Sequence, residues 1–236
     1  FSSFSFRCLF FYGVVQSSTS LCPEDALRVQ PGRNSFSKAV KEAKRRGIDC
    51  LFLLNGVHDE NGKRVEIDFP LKVVGQNKDE VKIRAGLMIT GKKREDVYFS
   101  DCTVTGAKNN GVYGFRGAAY HLTNVCVENC GECGVRVDST TRNTMTDCNV
   151  NNNEDSGVCV EGYDRDHGGC MAIYGSATTI HHNVMGGVDY DPSYEDSYGL
   201  DVDSSSSIDL KSLTKESIST NNGGGGNYND GDIKTI

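Results

Sequence analysis

The sequence predicts an all-β fold: a parallel β-helix solenoid with coils of about 23 residues, preceded by one α-helix. Three observations predict it. The phrase FSDCTVTGAKNNGVYG (99–114) returns as LTNVCVENCGECGVRV (122–137) and again as MTDCNVNNNEDSGVCV (145–160), each copy 23 residues after the last. Within each copy the apolar residues alternate in runs too short for a helix, which is the strand period. Glycine supplies 27 of 236 residues and proline only 4, with Asn, Asp and Ser frequent between Val, Ile and Leu, the usage of many short strands broken by turns. Strands that return in one orientation after each circuit pair in parallel with their own copies, about 4.8 Å above and below.

Residues 1–29 lack periodicity and read as a tail. The chain begins at Phe1, and CLFFYGVV (8–15) is an apolar run of eight. It suits the core of a signal-peptide remnant or an irregular tail, and is too short for a membrane span, which takes about 20 residues. The stretch NSFSKAVKEAKRR (34–46) reads as the helix. Asn34 or Ser35 can cap it, Phe36, Val40 and Ala43 share one face, Lys44, Arg45 and Arg46 suit the dipole of the last turn, and Gly47 can end it. Short strand-type runs follow at IDCLFLL, VEIDFPLKVV, VKI and LMI. Regular coils are expected over 65–175 and irregular ones over 176–236, the chain stopping just as IKTI opens another strand, as a truncated solenoid would.

Aligned, the three phrases give columns Phe99/Leu122/Met145, Cys102/Val125/Cys148 and Val104/Val127/Val150, then Gly111/Gly134/Gly157 followed by Val112/Val135/Val158. A step of 23 back from Val104 and Val112 reaches Val81 and Ile89; a step forward from Cys148 and Val150 reaches Met171 and Ile173. Asp101, Asn124 and Asp147 form a corner column whose side chains can bond turn backbone. The glycine column is expected to mark a bend of positive φ. A leucine-rich repeat has a similar period but lacks two Val-x-Val runs per turn.

Of ten cysteines, Cys102 and Cys148 share an inward column two rungs apart, about 9.6 Å, beyond disulfide reach. They read as core filler. Cys126 and Cys159 should face outward by alternation. Cys130 and Cys133 make the one C-x-x-C, without the second pair a zinc site needs. Thiols used for packing favour a reducing, cytoplasmic compartment over secretion, as does the lack of any Asn-x-Ser/Thr acceptor. The net charge of −7 argues against a nucleic-acid partner.

With the helix at 34–46, LFLLNGVH, PLKVVGQ and the stacked x-V-x-V…G-V-x-V coils, residues 30–236 resemble the right-handed parallel β-helix, pectin-lyase-like superfamily. Within it they resemble the β-helix-repeat proteins of unicellular eukaryotes. The resemblance implies a right-handed solenoid whose open end is capped by the N-terminal helix. It also implies one of two roles: a binding module for glycan or protein, or a polysaccharide-active enzyme of the polyuronide lyase or glycoside hydrolase type. The enzymes of the family use Asp clusters, often with calcium, and an Arg or Lys base, or separate Asp motifs with Gly-His-Gly. No Gly-His-Gly occurs here.

Candidate catalytic residues are few. Asp138 and Glu161 lie 23 apart, just after Val-x-Val strands, where paired carboxylates could flank a sugar. Asp164, Asp166 and His167, in the insertion YDRDHGG (163–169), could form an acid–base cluster. Asp189, Asp191, Glu195 and Asp196, in a second acidic insertion, are the candidates for calcium, though the glycine of an EF-hand loop is missing. His181 and His182 are neighbours and should point to opposite faces of a strand. The Gly-rich run at 221–232 lacks the Gly-Lys-Ser/Thr ending of a phosphate loop. The expectation is therefore a monomeric, non-catalytic binding module without cofactor, for glycan or protein.

Overall fold

The structure, a computed structural model, describes residues 24–115, 117–162, 168–184 and 197–236. The chain winds through about eight coils. The first contains β1 (Leu27–Val29), β2 (Gly32–Arg33) and helix α1 (Ser35–Arg46). The second and third contain β3 (Cys50–Leu53) with β4 (Gly56–Ile67), and β5 (Leu71–Gly75) with β6 (Val81–Ile89). Three regular coils follow: β7 (Val97–Ser100), β8 (Thr103–Thr105) and β9 (Val112–Phe115); β10 (Tyr120–Thr123), β11 (Cys126–Glu128) and β12 (Val135–Asp138); β13 (Asn143–Thr146), β14 (Asn149–Asn151) and β15 (Val158–Glu161). Then come β16 (Cys170–Tyr174), β17 (Thr179–His181) and β18 (Tyr198–Val202), followed by β19 (Ser207–Leu210), the single turn α2 (Lys215–Ile218), β20 (Ser219–Thr220) and β21 (Gly226–Tyr228). Strand β22 (Ile233–Thr235) opens the next circuit.

Among the described residues all strand pairs are parallel, and strands inside the stack pair with their counterparts in the coils before and after, giving one sheet of nine strands and one of thirteen. The larger sheet is two faces joined by bent strands. The first half of β6 pairs with β8 and its second half with β9, and β4 turns the same corner at Asn61 and Gly62, both at positive φ. The cross-section is therefore three-sided. The first face runs β1-β3-β5-β7-β10-β13-β16-β19-β22. The second starts from the early halves of β4 and β6, and the third from their late halves.

The phrase columns stack as expected. Val127 lies between Val104 and Val150, and Leu122 between Phe99 and Met145, all of them buried. Beyond the three phrases the register departs from a fixed step of 23. Val104 stands over Ile83 and Val112 over Leu87, rather than over Val81 and Ile89. Val150 pairs with Ile180, whereas Met171 and Ile173 stack on Asn143 and Met145 of the first face. Coils change length at their corners while strand pairing holds: Val73 pairs with Phe99, 26 residues on, and Ile173 with Leu210, 37 on.

In the three phrases this bend is made by the Asx column, not by Gly111, Gly134 and Gly157. Asp101, Asn124 and Asp147 sit at φ 56, 52 and 52, in the left-handed region that Asn and Asp tolerate. Asn124 Nδ2 donates to Asp101 Oδ1 at 2.8 Å. Gly111, Gly134 and Gly157 have ordinary φ and are small for another reason. A Cβ on Gly134 would lie 2.5 Å from Asn153 Nδ2 and 2.6 Å from Val150 Cγ1, and Gly157 meets Ile180 at 2.6 Å. Glycine here lets adjacent coils close on one another.

Inside this corner runs a ladder of amides, Asn153 and Asn183 fully buried and Asn222 half-buried at its end. Asn153 Nδ2 donates to Asn183 Oδ1 at 2.8 Å, and Asn183 Nδ2 to Asn222 Oδ1 at 2.9 Å and to Val150 O at 3.1 Å. Each amide uses its donors and its acceptor on the coils around it, as a buried polar group must. One coil breaks the Val pattern. Gly114 stands where Val137 and Val160 stand in the next two coils, and the fully buried ring of Tyr120 fills the space, its Oη donating to Arg136 O at 3.0 Å.

Helix α1 buries Phe36, Ala39, Val40 and Ala43 against the first coils. Its N-cap Asn34 makes no side-chain cap; Glu60 Oε1 instead accepts from Ser37 N at 3.0 Å. Gly47 ends it at φ 68, as expected, its N–H bonding Ala43 O.

Candidate functional site

The outer surface of the third face carries a cluster of polar and aromatic groups. Strands β9, β12 and β15 read V-Y-G-F, V-R-V-D and V-C-V-E. Their inward Val residues are buried, so the alternate positions point outward. Register gives two outward columns: Met88, Tyr113, Arg136, Cys159 and Asp201, and beside it Phe115, Asp138 and Glu161.

Asp138 and Glu161 are thus brought together on neighbouring rungs, as the sequence suggested. Each is engaged. Asp138 Oδ2 accepts from Tyr113 Oη at 3.1 Å, and Oδ1 from Ser139 Oγ at 2.9 Å. Glu161 Oε2 accepts from Arg136 Nη2 at 2.6 Å, and Oε1 from Cys159 Sγ at 2.9 Å. Burial, with the Asp138 carboxylate beside it, pushes the Tyr113 phenol up to about 12, so its hydroxyl stays a donor. The guanidinium of Arg136 lies 5.6 Å from the Tyr113 ring centroid and that of Arg64 5.9 Å from it. Phe115 tilts against Tyr113 at 5.8 Å. Arg136 Nε is buried and makes no hydrogen bond.

Asp164, Asp166 and His167, and likewise Asp189, Asp191, Glu195 and Asp196, lie outside the described residues. Among the described residues no group of three His, Cys, Asp or Glu could hold a metal ion, and no helix is long and apolar enough to cross a membrane.

Two sequence expectations about side chains are corrected here. Cys126 and Cys159 do sit at outward positions but are buried, covered by neighbouring side chains; the Cys159 thiol is held protonated by its hydrogen bond with Cys133 and by burial. Burial likewise pushes Cys130 up to about 12, and every described cysteine is a free thiol. His181 and His182 lie side by side, Nδ1 to Nδ1 at 2.7 Å, because His182 adopts φ 54 and turns its ring back beside its neighbour.

A second cluster, unforeseen from sequence, lies outside the first face. Tyr98 stacks on His121 at 4.5 Å, and His121 Nδ1 is 2.9 Å from Thr144 Oγ1. Asp96 lies 3.5 Å from His121 Nε2 and takes two hydrogen bonds from Arg142, at 2.7 and 2.8 Å. The Arg142 fork holds the Asp96 carboxyl below its usual range, while burial holds His121 low. The register itself was the available signal: Tyr98 and His121 are 23 apart, as are Tyr113 and Arg136.

Fold and face together define a three-sided right-handed β-solenoid with an ordered polar–aromatic outer surface. The model of the right-handed beta helix region family matches residues 55–236, more than half of the chain, and the chain belongs to that family. No curated protein and no solved structure matches it.

Proposed function

We propose that the chain is a non-catalytic binding module and that the third face is its glycan-binding surface. The observation that carries this is the outward ladder Tyr113–Arg136 beside Phe115–Asp138–Glu161, held on rungs about 4.8 Å apart. An aromatic ring flanked by planar hydrogen-bonding groups suits a sugar: the ring takes the apolar face of a pyranose, and Arg, Asp and Glu take hydroxyls. The backbone ladder fixes these groups in advance, which lowers the ordering cost of binding. The ties of Asp138 to Tyr113 and of Glu161 to Arg136 favour binding over acid–base work, since both carboxylates already hold neighbours in place.

One observation favours a second reading, a polysaccharide lyase or hydrolase: Asp138 and Glu161 occupy adjacent rungs, a spacing two catalytic carboxylates can use. Affinity electrophoresis through gels holding neutral or acidic polysaccharides separates these readings. A binding module is retarded by at least one of them, Tyr113→Ala loses the retardation, and neither reducing ends nor unsaturated product accumulates. Turnover removed by Asp138→Asn would replace the module with the enzyme. A chain retarded by no polysaccharide would sink the glycan reading and leave a protein partner.

A further inference from the structure

A cleft of about 310 Å³, lined by neither Asp138 nor Glu161, opens between α1 and the second half of β4. Its apolar lining comes from Val40 on the helix, Val65 on the strand and Phe69 after it, side chains that also pack on the core. Its cations are Lys41, Lys44 and Arg64. Its two acids are engaged: Asp68 pairs with Lys44, and Glu66 Oε1 accepts from Thr90 Oγ1 at 2.7 Å. Lys41 and Arg64 form no ion pair among the described residues; Arg64 instead reaches Met88 Sδ at 3.7 Å. Two positive charges without an ion-pair partner among the described residues therefore border the recess.

We propose that this cleft binds a small amphipathic carboxylate: a molecule with one carboxylate on a flat or branched apolar body. The size suits a small molecule, the cleft lying at the lower end of ligand pockets, about 300–1,000 Å³. The charge excludes a cation. A free phosphate gains nothing from the apolar lining, whereas an apolar body covers the half-buried Phe69 ring beside the buried Val40 and Val65. The carboxylate lies toward Lys41 and Arg64, where charge-assisted hydrogen bonds are available from both. The inference stands independently of the glycan reading, although Arg64 borders both surfaces.

Phenylbutyrate is the probe, with phenylbutyramide and acetate as comparators, measured by calorimetry and by the methyl resonances of Val40 and Val65. Phenylbutyrate should bind with Kd about 1 mM, the level expected for a dozen heavy atoms at ordinary ligand efficiency. The uncharged amide and the body-less acetate should each bind about tenfold more weakly. Lys41→Gln and Arg64→Gln, both exposed changes, should each weaken binding about fivefold with circular dichroism unchanged, while Lys92→Gln leaves it as it was. Equal binding of acid and amide would overturn the proposal. So would methyl shifts that bypass Val40 and Val65, or the lack of saturable binding in a chain that is folded by circular dichroism.

Discussion

Gly114 and Tyr120 occupy one volume, and exchanging both for valine tests whether the stack is built of interchangeable rungs. A Cβ on Gly114 would lie 2.6 Å from Tyr120 Cε1. Gly114→Val alone forces the fully buried ring aside and should cost about 3 kcal/mol, the upper range for overpacking. Tyr120→Val alone empties the ring's space and removes the hydrogen bond to Arg136 O, for about 3 kcal/mol. Independent sites would sum to about 6 kcal/mol. The double variant instead gives each column a residue that it already holds on an adjacent rung, Val137 beside position 114 and Val97 beside position 120. A coupling of about 3 kcal/mol should bring it back to the cost of either single change. With no Trp and 10 Tyr in the chain, urea unfolding is followed by circular dichroism. Additive losses in the double variant would refute the shared-volume argument, and with it the claim that coils differ only in how they fill a common cross-section.

Two further outcomes follow from buried groups. Asn183→Ala removes the middle of the amide ladder and takes the acceptor from the buried Asn153 backbone N–H, while Asn153 Nδ2 keeps Val127 O and Asn222 Oδ1 keeps the residue-183 N–H; a loss of about 2 kcal/mol in urea unfolding is expected. His58 is fully buried between α1 and the second coil, 3.0 Å from Ser35 Oγ and from Leu54 O, and burial holds its imidazole below 6.5 against the pull of Leu54 O and Glu60. The unfolded chain therefore takes up this proton first. Stability should fall as pH drops below 6.5, down to the lower folded value, and a series of thermal melts should show a shallower slope for His58→Asn.

The solenoid was legible because burial of Val104, Val127 and Val150 demands identical residues at identical heights, and a period written three times leaves few other folds. The register outside those phrases was less legible. It depends on corner lengths, and a coil step of 26 or of 37 residues leaves no mark in the strands that pair across it. Glycine was assigned to the wrong cause: a Gly column looks the same whether it relieves φ or admits a neighbour, and only the contacts of Gly134 and Gly157 decide. The pairing of Asp138 with Glu161 could be read from spacing. The engagement of each by Tyr113 and Arg136 could not, since those side chains come from other rungs and point along the axis. His182 shows the same limit: one residue at positive φ defeats the alternation rule.

The unequal coils have a consequence for how such a chain tolerates change. Each lap keeps its height whatever its circumference, because strand spacing alone fixes the rise. Extra residues swell a corner sideways and leave the altitude of every later strand untouched. Lateral elaboration and axial order are thereby separated, and a loop can lengthen at one vertex while the surface two laps away stays in place.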